Sequence, residues 1–212
     1  MCRLLAVHSS SLFSPAVFLK KFALISKNSS EYQGHGWGCA YLENGQWRIY
    51  KNISPVWEDD LEQFPQTTLL LGHARSAFRD EGIVIENNMP FYDERYVFIF
   101  NGELQGVRIK SEGRIGAEKI FNFIKRFDKG DINAAIRKAV RIMQMRTDFI
   151  RAMNLIISDK KRIYLNSLFM DAVDYFTMFL KRENDRLLIC SDPFPQESNW
   201  QKIKNKTIEE FA

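Results

Sequence analysis

The sequence predicts an α+β fold, with strands gathered around two blocks of helix and sheets that helices cover. Three observations carry that expectation. Strand-length apolar runs occupy the start, middle and end of the chain, while helix-period patterns occur in only two blocks, so strand and helix do not alternate as βαβ units would require. Apolar residues make up 45% of the 212 positions, enough for a sizeable core. No stretch rich in Pro, Gly or Ser interrupts them, so residues 1–212 read as a single domain.

The first run, "CRLLAVH", is a mostly buried strand. Ser14 followed by Pro15 is a helix start, and Phe18, Phe22 and Ile25 then fall on one helical face. "WGCAYLENGQWRIYKN" reads as a hairpin whose "ENG" turn joins two strands. "TTLLLGHA" and "RYVFIF" are short strands. In the second helical block, "AEKIFNFIKRF" aligns Ile120, Phe121, Ile124 and Phe127 on one face, and "DINAAIRKAVRIMQM" opens on a capping Asp131. The last third returns to strands in "MNLIISD", "KRIYLNSL", "VDYFTMFL" and "RLLICS", with "DKK" turning between the first two.

Composition excludes several classes of function. The formal charge is +4, and the basic residues are dispersed among acidic ones, as in "KSEGRIGAEKIFNFIKRFDKGD". That mixture suits a solvated helix face better than a phosphate-binding stripe, so nucleic acid is not an expected partner. Cys2, Cys39 and Cys190 have no metal-type spacing, and an odd number does not complete a disulfide framework. No apolar stretch approaches the length of a membrane span, and the start lacks a basic region followed by a long apolar run. A cytoplasmic protein with no membrane partner is the expectation.

Four short stretches carry candidate chemistry, each with a plainer reading beside it. If Met1 is removed, Cys2 presents both a thiol and a free α-amine, and the amine titrates close enough to neutrality to accept the thiol proton. Equally, cysteine is among the most buried residue types, and Cys2 begins a buried strand. In "GHARSAF", His73 and Arg75 stand where a strand becomes a loop. A guanidinium there suits bidentate capture of a carboxylate, or a structural ion pair. In "FIFNGEL", the Asn101 amide and the Gly102 N–H follow a buried strand and can stabilise an oxyanion together, although Asn-Gly is also the commonest turn dipeptide. The glycines of "GHGWGCAYLENG" permit close backbone approach around Trp37, which equally suits the core.

Taken together and in this order, these stretches resemble the class II glutamine amidotransferases, which are N-terminal-nucleophile hydrolases, and in particular their small stand-alone branch beginning Met-Cys-Arg-Leu-Leu. "MCRLLAV", "GHGWGCAYLENG", "GHARSAF", "NNMPF", "FIFNGEL" and "LLICSDPF" with Trp200 beyond it all take part, so the resemblance spans nearly the whole chain. It implies a four-layer αββα sandwich of two stacked, mostly antiparallel sheets. It also implies Cys2 as nucleophile with its own α-amine as base, Arg75 as the clamp on a substrate α-carboxylate, and Asn101 with Gly102 as the oxyanion hole. The substrate would be a small-molecule amide, glutamine or a γ-glutamyl compound, hydrolysed through a thioester with no metal or organic cofactor. A synthase partner that accepts ammonia, a homo-oligomer, or a fold-keeping binding protein without turnover are the alternative roles.

The chain departs from the family pattern around one part of the pocket. Gly116 falls where an Asp usually holds the substrate's α-ammonium, leaving Glu118 or Glu112 as candidate substitutes. Phe78 stands where Thr or Ser is usual, Phe100 replaces the His before Asn-Gly, and Met89 the His before Pro-Phe. The attacking and oxyanion groups remain, so the departures bear on substrate identity more than on reaction type.

Overall fold

The computed structural model describes residues 1–212, the side chain of Asp80 excepted. In chain order the elements are β1 (Arg3–Phe13), α1 (Pro15–Lys27), β2 (Trp37–Glu43), β3 (Gln46–Asn52), β4 (Thr67–Ala74), β5 (Phe91–Tyr92), β6 (Val97–Gln105), α2 (Gly116–Lys125), α3 (Ile132–Met145), β7 (Phe149–Ser158), β8 (Ile163–Ser167), α4 (Val173–Phe176), β9 (Phe179–Glu183), β10 (Arg186–Cys190), β11 (Gln201–Lys202) and β12 (Thr207–Phe211). Seven strands form one sheet in the order β11-β9-β10-β1-β4-β2-β3, and five form the other in the order β12-β8-β7-β6-β5. Every strand pair is antiparallel.

Alternation along the strands explains how the layers stack. On β1, Leu5 and Val7 join Leu70, Leu188 and the α1 residues Phe18, Leu19 and Phe22 in one apolar cluster. Leu4 and Ala6, the alternate residues, join Leu69 and Leu71 in a second cluster that contains Ile99, Ile156 and the inner face of the other sheet. Helix α1 therefore covers the seven-stranded sheet. On the far side, Phe98 of β6 stacks on Phe121 of α2 with centroids 5.1 Å apart, so α2 and α3 cover the five-stranded sheet. The result is a four-layer αββα sandwich. Burying each α1 side chain such as Phe22 or Leu19 contributes about 1.5–3 kcal/mol to holding that layer.

Local signals behave as the sequence suggests at most boundaries. The Asp131 carboxylate accepts the Ala134 N–H at 2.9 Å and caps α3. Asn44 and Gly45 both take positive φ, 52° and 72°, the backbone of a type I′ hairpin turn between β2 and β3. Two expectations need correction. "VDYFTMFL" is not one strand: its first half is the single helical turn α4, closed where the Thr177 hydroxyl donates to the Val173 carbonyl at 2.7 Å, and only Phe179 and Leu180 enter β9. Nor does β6 end before Asn101-Gly102. The strand continues through both to Gln105 because β7 pairs along its full length, Asn101 opposite Asn154 and Gly102 opposite Met153. The Asn-Gly dipeptide is therefore strand, not turn.

Among the described residues, no helix is long and apolar enough to cross a membrane.

Candidate active site

The site assembles where the amino-terminal end of β1 meets β6 of the opposite sheet. Leu4 and Ala6 face the inter-sheet core, so Cys2, two residues ahead of Leu4, points the same way. Register sets its neighbours: Arg3 lies opposite Ala74, which lies opposite Trp37, so the next residues out are Cys2 and Arg75 side by side. From below, odd-numbered β6 residues face this sheet, since Ile99 lies between the sheets while Phe98 and Phe100 stack on the helix side. Asn101 is thus carried into the same crevice.

The contacts are close. The Cys2 backbone N–H donates to Asn101 Oδ1 at 2.9 Å, across 99 residues of sequence. Asn101 is fully buried, and its Nδ2 has no hydrogen-bond partner among the described residues. Leaving a buried amide donor unpaired costs about 1–3 kcal/mol, so the fold holds this group in a position that a ligand oxygen would relieve. Cys2 Sγ lies 3.7 Å from the Ser76 carbonyl, one residue past Arg75.

Strand geometry turns the Gly102 N–H outward beside Asn101. Met153 N–H bonds Leu168, so Met153 turns its backbone polar groups away from β6. Its register mate Gly102 accordingly turns its own N–H away from β7, towards the sheet edge beyond the two-residue β5. No larger residue fits there. A Cβ on Gly102 would stand 2.1 Å from the Ala152 carbonyl oxygen and 2.8 Å from the Phe100 ring.

Arg75 is 6% exposed and held at both ends. Its N–H bonds the Gly36 carbonyl at 2.9 Å, while Nη1 donates to Asn88 Oδ1 at 3.2 Å and Nη2 to the Gly82 carbonyl at 2.8 Å. Those neutral acceptors fix the guanidinium without cancelling its charge, so a carboxylate still gains from approaching it. Its charge also reaches Cys2: burial pushes the Cys2 thiol above its ordinary pKa, and the chain's terminal ammonium and Arg75 oppose that shift. The balance leaves a thiol at neutral pH, so a nucleophile here needs a base.

His73 lies beside this cluster and Glu118 apart from it. His73 is fully buried on the inner face of β4 in the row Leu4–His73–Gly38–Lys51. Burial, reinforced by Arg75, pushes its pKa down to about 3, so it is a neutral imidazole, and its ring nitrogens make no hydrogen bond of good geometry even though the Phe100 backbone lies close. Glu118 is taken by Arg114, whose backbone N–H, Nε and Nη2 lie 2.6, 2.9 and 2.7 Å from its carboxylate. That pair lines a small cavity of about 90 Å³ with Lys51, Phe91 and Lys125. Burial, with Arg114 second, lowers Lys51 to about 8. At Gly116 an added Cβ meets nothing within 4 Å, so the position faces open space. A larger cavity, about 440 Å³, lies elsewhere between α2 and α3 and is lined by Phe123, Phe127 and Ile142 rather than by any residue of this cluster.

Sequence reasoning did not single out the residues that hold the segment ahead of Cys2. The Met1 carbonyl accepts from Gln33 Nε2 and from the Tyr175 hydroxyl. The terminal ammonium lies 3.6 Å from Glu31, which Arg151 also approaches at 4.0 Å. The Met1 side chain packs on Ala152, Phe169 and Phe176. Gln33 follows α1 in an irregular segment, and Tyr175 sits in the stretch that reads as strand, so neither has a periodic or motif signal.

No protein-family model matches the sequence, and no curated protein matches it. Solved structures do. The chain superposes on a glutamine aminotransferase class-II domain protein from Silicibacter pomeroyi with a TM-score of 0.64 at 14% identity, covering 99% of this chain and 94% of that one. A predicted glutamine amidotransferase from Pseudomonas aeruginosa gives 0.60 at 16% identity, covering 99% and 97%. The glutamine phosphoribosylpyrophosphate amidotransferase of B. subtilis gives 0.64 at 13% identity over 90% of this chain but only 42% of that longer one. At such identities the likeness establishes the fold alone, and the chain accordingly has the αββα fold of these glutamine amidotransferase structures.

Proposed function

We propose that the protein hydrolyses a carboxylate-bearing amide, with glutamine and γ-glutamyl compounds as the substrate class and Cys2 as nucleophile once Met1 is removed. The observation that carries this reading is Asn101, whose Oδ1 takes the Cys2 N–H while its buried Nδ2 is left unpartnered. A tetrahedral oxyanion formed by attack from Cys2 would satisfy Nδ2 and the outward N–H of Gly102 together.

The chemistry follows from the environment of each group. The Cys2 α-amine, neutral near pH 8, accepts the thiol proton, directly or through a water. Sulfur attacks the amide carbon, and the oxyanion is held by Asn101 and Gly102. Collapse breaks the C–N bond, and the α-ammonium returns its proton to the leaving nitrogen. Water then attacks the thioester, releasing the carboxylic acid and the Cys2 thiol. Arg75 fixes the carboxylate end of the substrate and so sets the reach to the scissile bond.

A second reading keeps the fold for binding alone. It is favoured by Gly116, where no carboxylate stands to pair with a substrate ammonium. A third makes the chain the ammonia-producing half of a synthase that works with a partner in trans.

Treatment of the chain beginning at Cys2 with a diazo-ketone analogue of glutamine, followed by peptide mass spectrometry, tests the proposal. A covalent adduct on Cys2, absent from Cys2→Ala, is the expected result. Amide hydrolysis that survives in Cys2→Ala would overturn it, and absence of both adduct and hydrolysis favours the binding reading.

A further inference from the structure

We infer that the space occupied by Met1 becomes, once that residue is gone, a leaving-group subsite for an apolar amine that carries a hydrogen-bond acceptor. The substrate is then a secondary amide rather than a primary one. This rests on the hydrolase reading above, and it adds which side of the scissile bond is recognised and by what.

The geometry starts from the Cys2 nitrogen. The leaving nitrogen takes its proton from that α-ammonium, so it must lie beside it, and the space Met1 fills begins at the same atom. That space is a built site. Gln33 is fully buried, its Nε2 donates to the Met1 carbonyl and to the Glu31 carbonyl at 2.8 Å, and its Oε1 has no partner. The Tyr175 hydroxyl donates to the same Met1 carbonyl and receives a hydrogen bond from Gln33 at 3.1 Å. Removing Met1 leaves the Tyr175 hydroxyl without that acceptor, while Gln33 Nε2 keeps the Glu31 carbonyl and the Tyr175 oxygen and Gln33 Oε1 stays unpaired among the described residues, an arrangement that a ligand carbonyl with an adjacent N–H would satisfy.

Around these polar atoms the wall is apolar. Ala152, Phe169 and Phe176 receive the Met1 side chain, and Tyr175 crosses Phe176 edge-on at 5.3 Å. Ammonia alone would leave this surface unused, whereas an amine bearing an aliphatic or thioether group buries it. Glu31, 3.6 Å from the terminal ammonium, provides an anion at the rim. Met1 thus displays the ligand chemistry the pocket takes: a carbonyl at the Tyr175 hydroxyl and an apolar group against Phe176.

In the reaction, the Cys2 sulfur displaces the amine from the secondary amide, forming the thioester. The leaving nitrogen gains the α-ammonium proton, and water then hydrolyses the thioester.

The test uses L-methioninamide as probe, titrated calorimetrically into the chain beginning at Cys2 and into the chain that retains Met1. Saturable binding with a Kd in the millimolar range or tighter is expected for the first, and none for the second. Gln33→Leu should weaken it about tenfold, and Tyr175→Phe, which removes only a hydroxyl, severalfold. Binding to both forms, or to neither, overturns the inference. A kinetic arm compares γ-glutamyl-methioninamide with glutamine: kcat/KM at least about tenfold higher for the secondary amide supports the subsite, and equal or reversed preference overturns it. Selective binding of methioninamide without hydrolysis of either amide would leave the subsite standing and overturn the hydrolase reading instead.

Discussion

Two regions of the molecule, the Cys2 cluster between the sheets and the Arg114–Glu118 pair at the start of α2, are built on different terms. At the Cys2 end, Arg75 and Asn101 are buried and held mainly by backbone: Arg75 by the Gly36 and Gly82 carbonyls with the Asn88 side chain, and Asn101 by β7 and by the Cys2 N–H. At the α2 end, the groups are half-exposed side chains that neutralise one another, with Arg114 closed on Glu118 and Lys51 and Lys125 beside them. The first end has an unpaired donor; the second has an empty position at Gly116. On the proposed reading, the groups assigned to attack and to the oxyanion are held by the fold, whereas the groups near Gly116 are surface side chains paired with one another.

Substitutions at each end sharpen that contrast. The largest effect belongs to Asn101→Ala, which removes the unpaired donor and the acceptor for Cys2 at once: kcat falls by about 10²–10³ with the fold retained by circular dichroism. Little change in kcat would place the oxyanion elsewhere. Arg75→Lys comes next. It keeps the charge but loses the fork held by Gly82 and Asn88, so KM for a carboxylate-bearing amide rises roughly tenfold while kcat changes less. A fall in kcat alone would make Arg75 a structural ion rather than a substrate clamp. The smallest effect is at the other end. Gly116→Asp meets open space and adds a carboxylate in the first turn of α2, so the fold is unharmed and KM for glutamine falls severalfold, roughly 3–10. An unchanged KM would show that this region takes no substrate ammonium.

How much of this was legible in the sequence follows the same division. The α1 face, the β2–β3 hairpin and the Asp131 cap are written in local patterns, and the structure has them where those patterns put them. Asn101-Gly102 was not legible as strand, because the dipeptide favours turns and only pairing with β7, some 50 residues later, overrides it. Tyr175 was hidden for the same reason in reverse: its segment has strand composition, and the Thr177 hydroxyl closes it into a turn. Gln33 carries no local signal at all. Its importance comes from lying beside Met1 and Tyr175 at once, a long-range coincidence that one sequence does not display.

The pH dependence of Cys2 alkylation, measured by intact mass with and without Met1, tests the central claim most directly. Burial raises the Cys2 thiol, so with Met1 in place the account predicts slow labelling that climbs only above the ordinary thiol range. With Cys2 at the terminus, its amine takes the thiol proton as it loses its own, and labelling should rise with a midpoint near that of an α-amino group, about 7.7–8.0. Superimposable profiles for the two forms would contradict the account, because the α-amine would then play no part in activating the nucleophile.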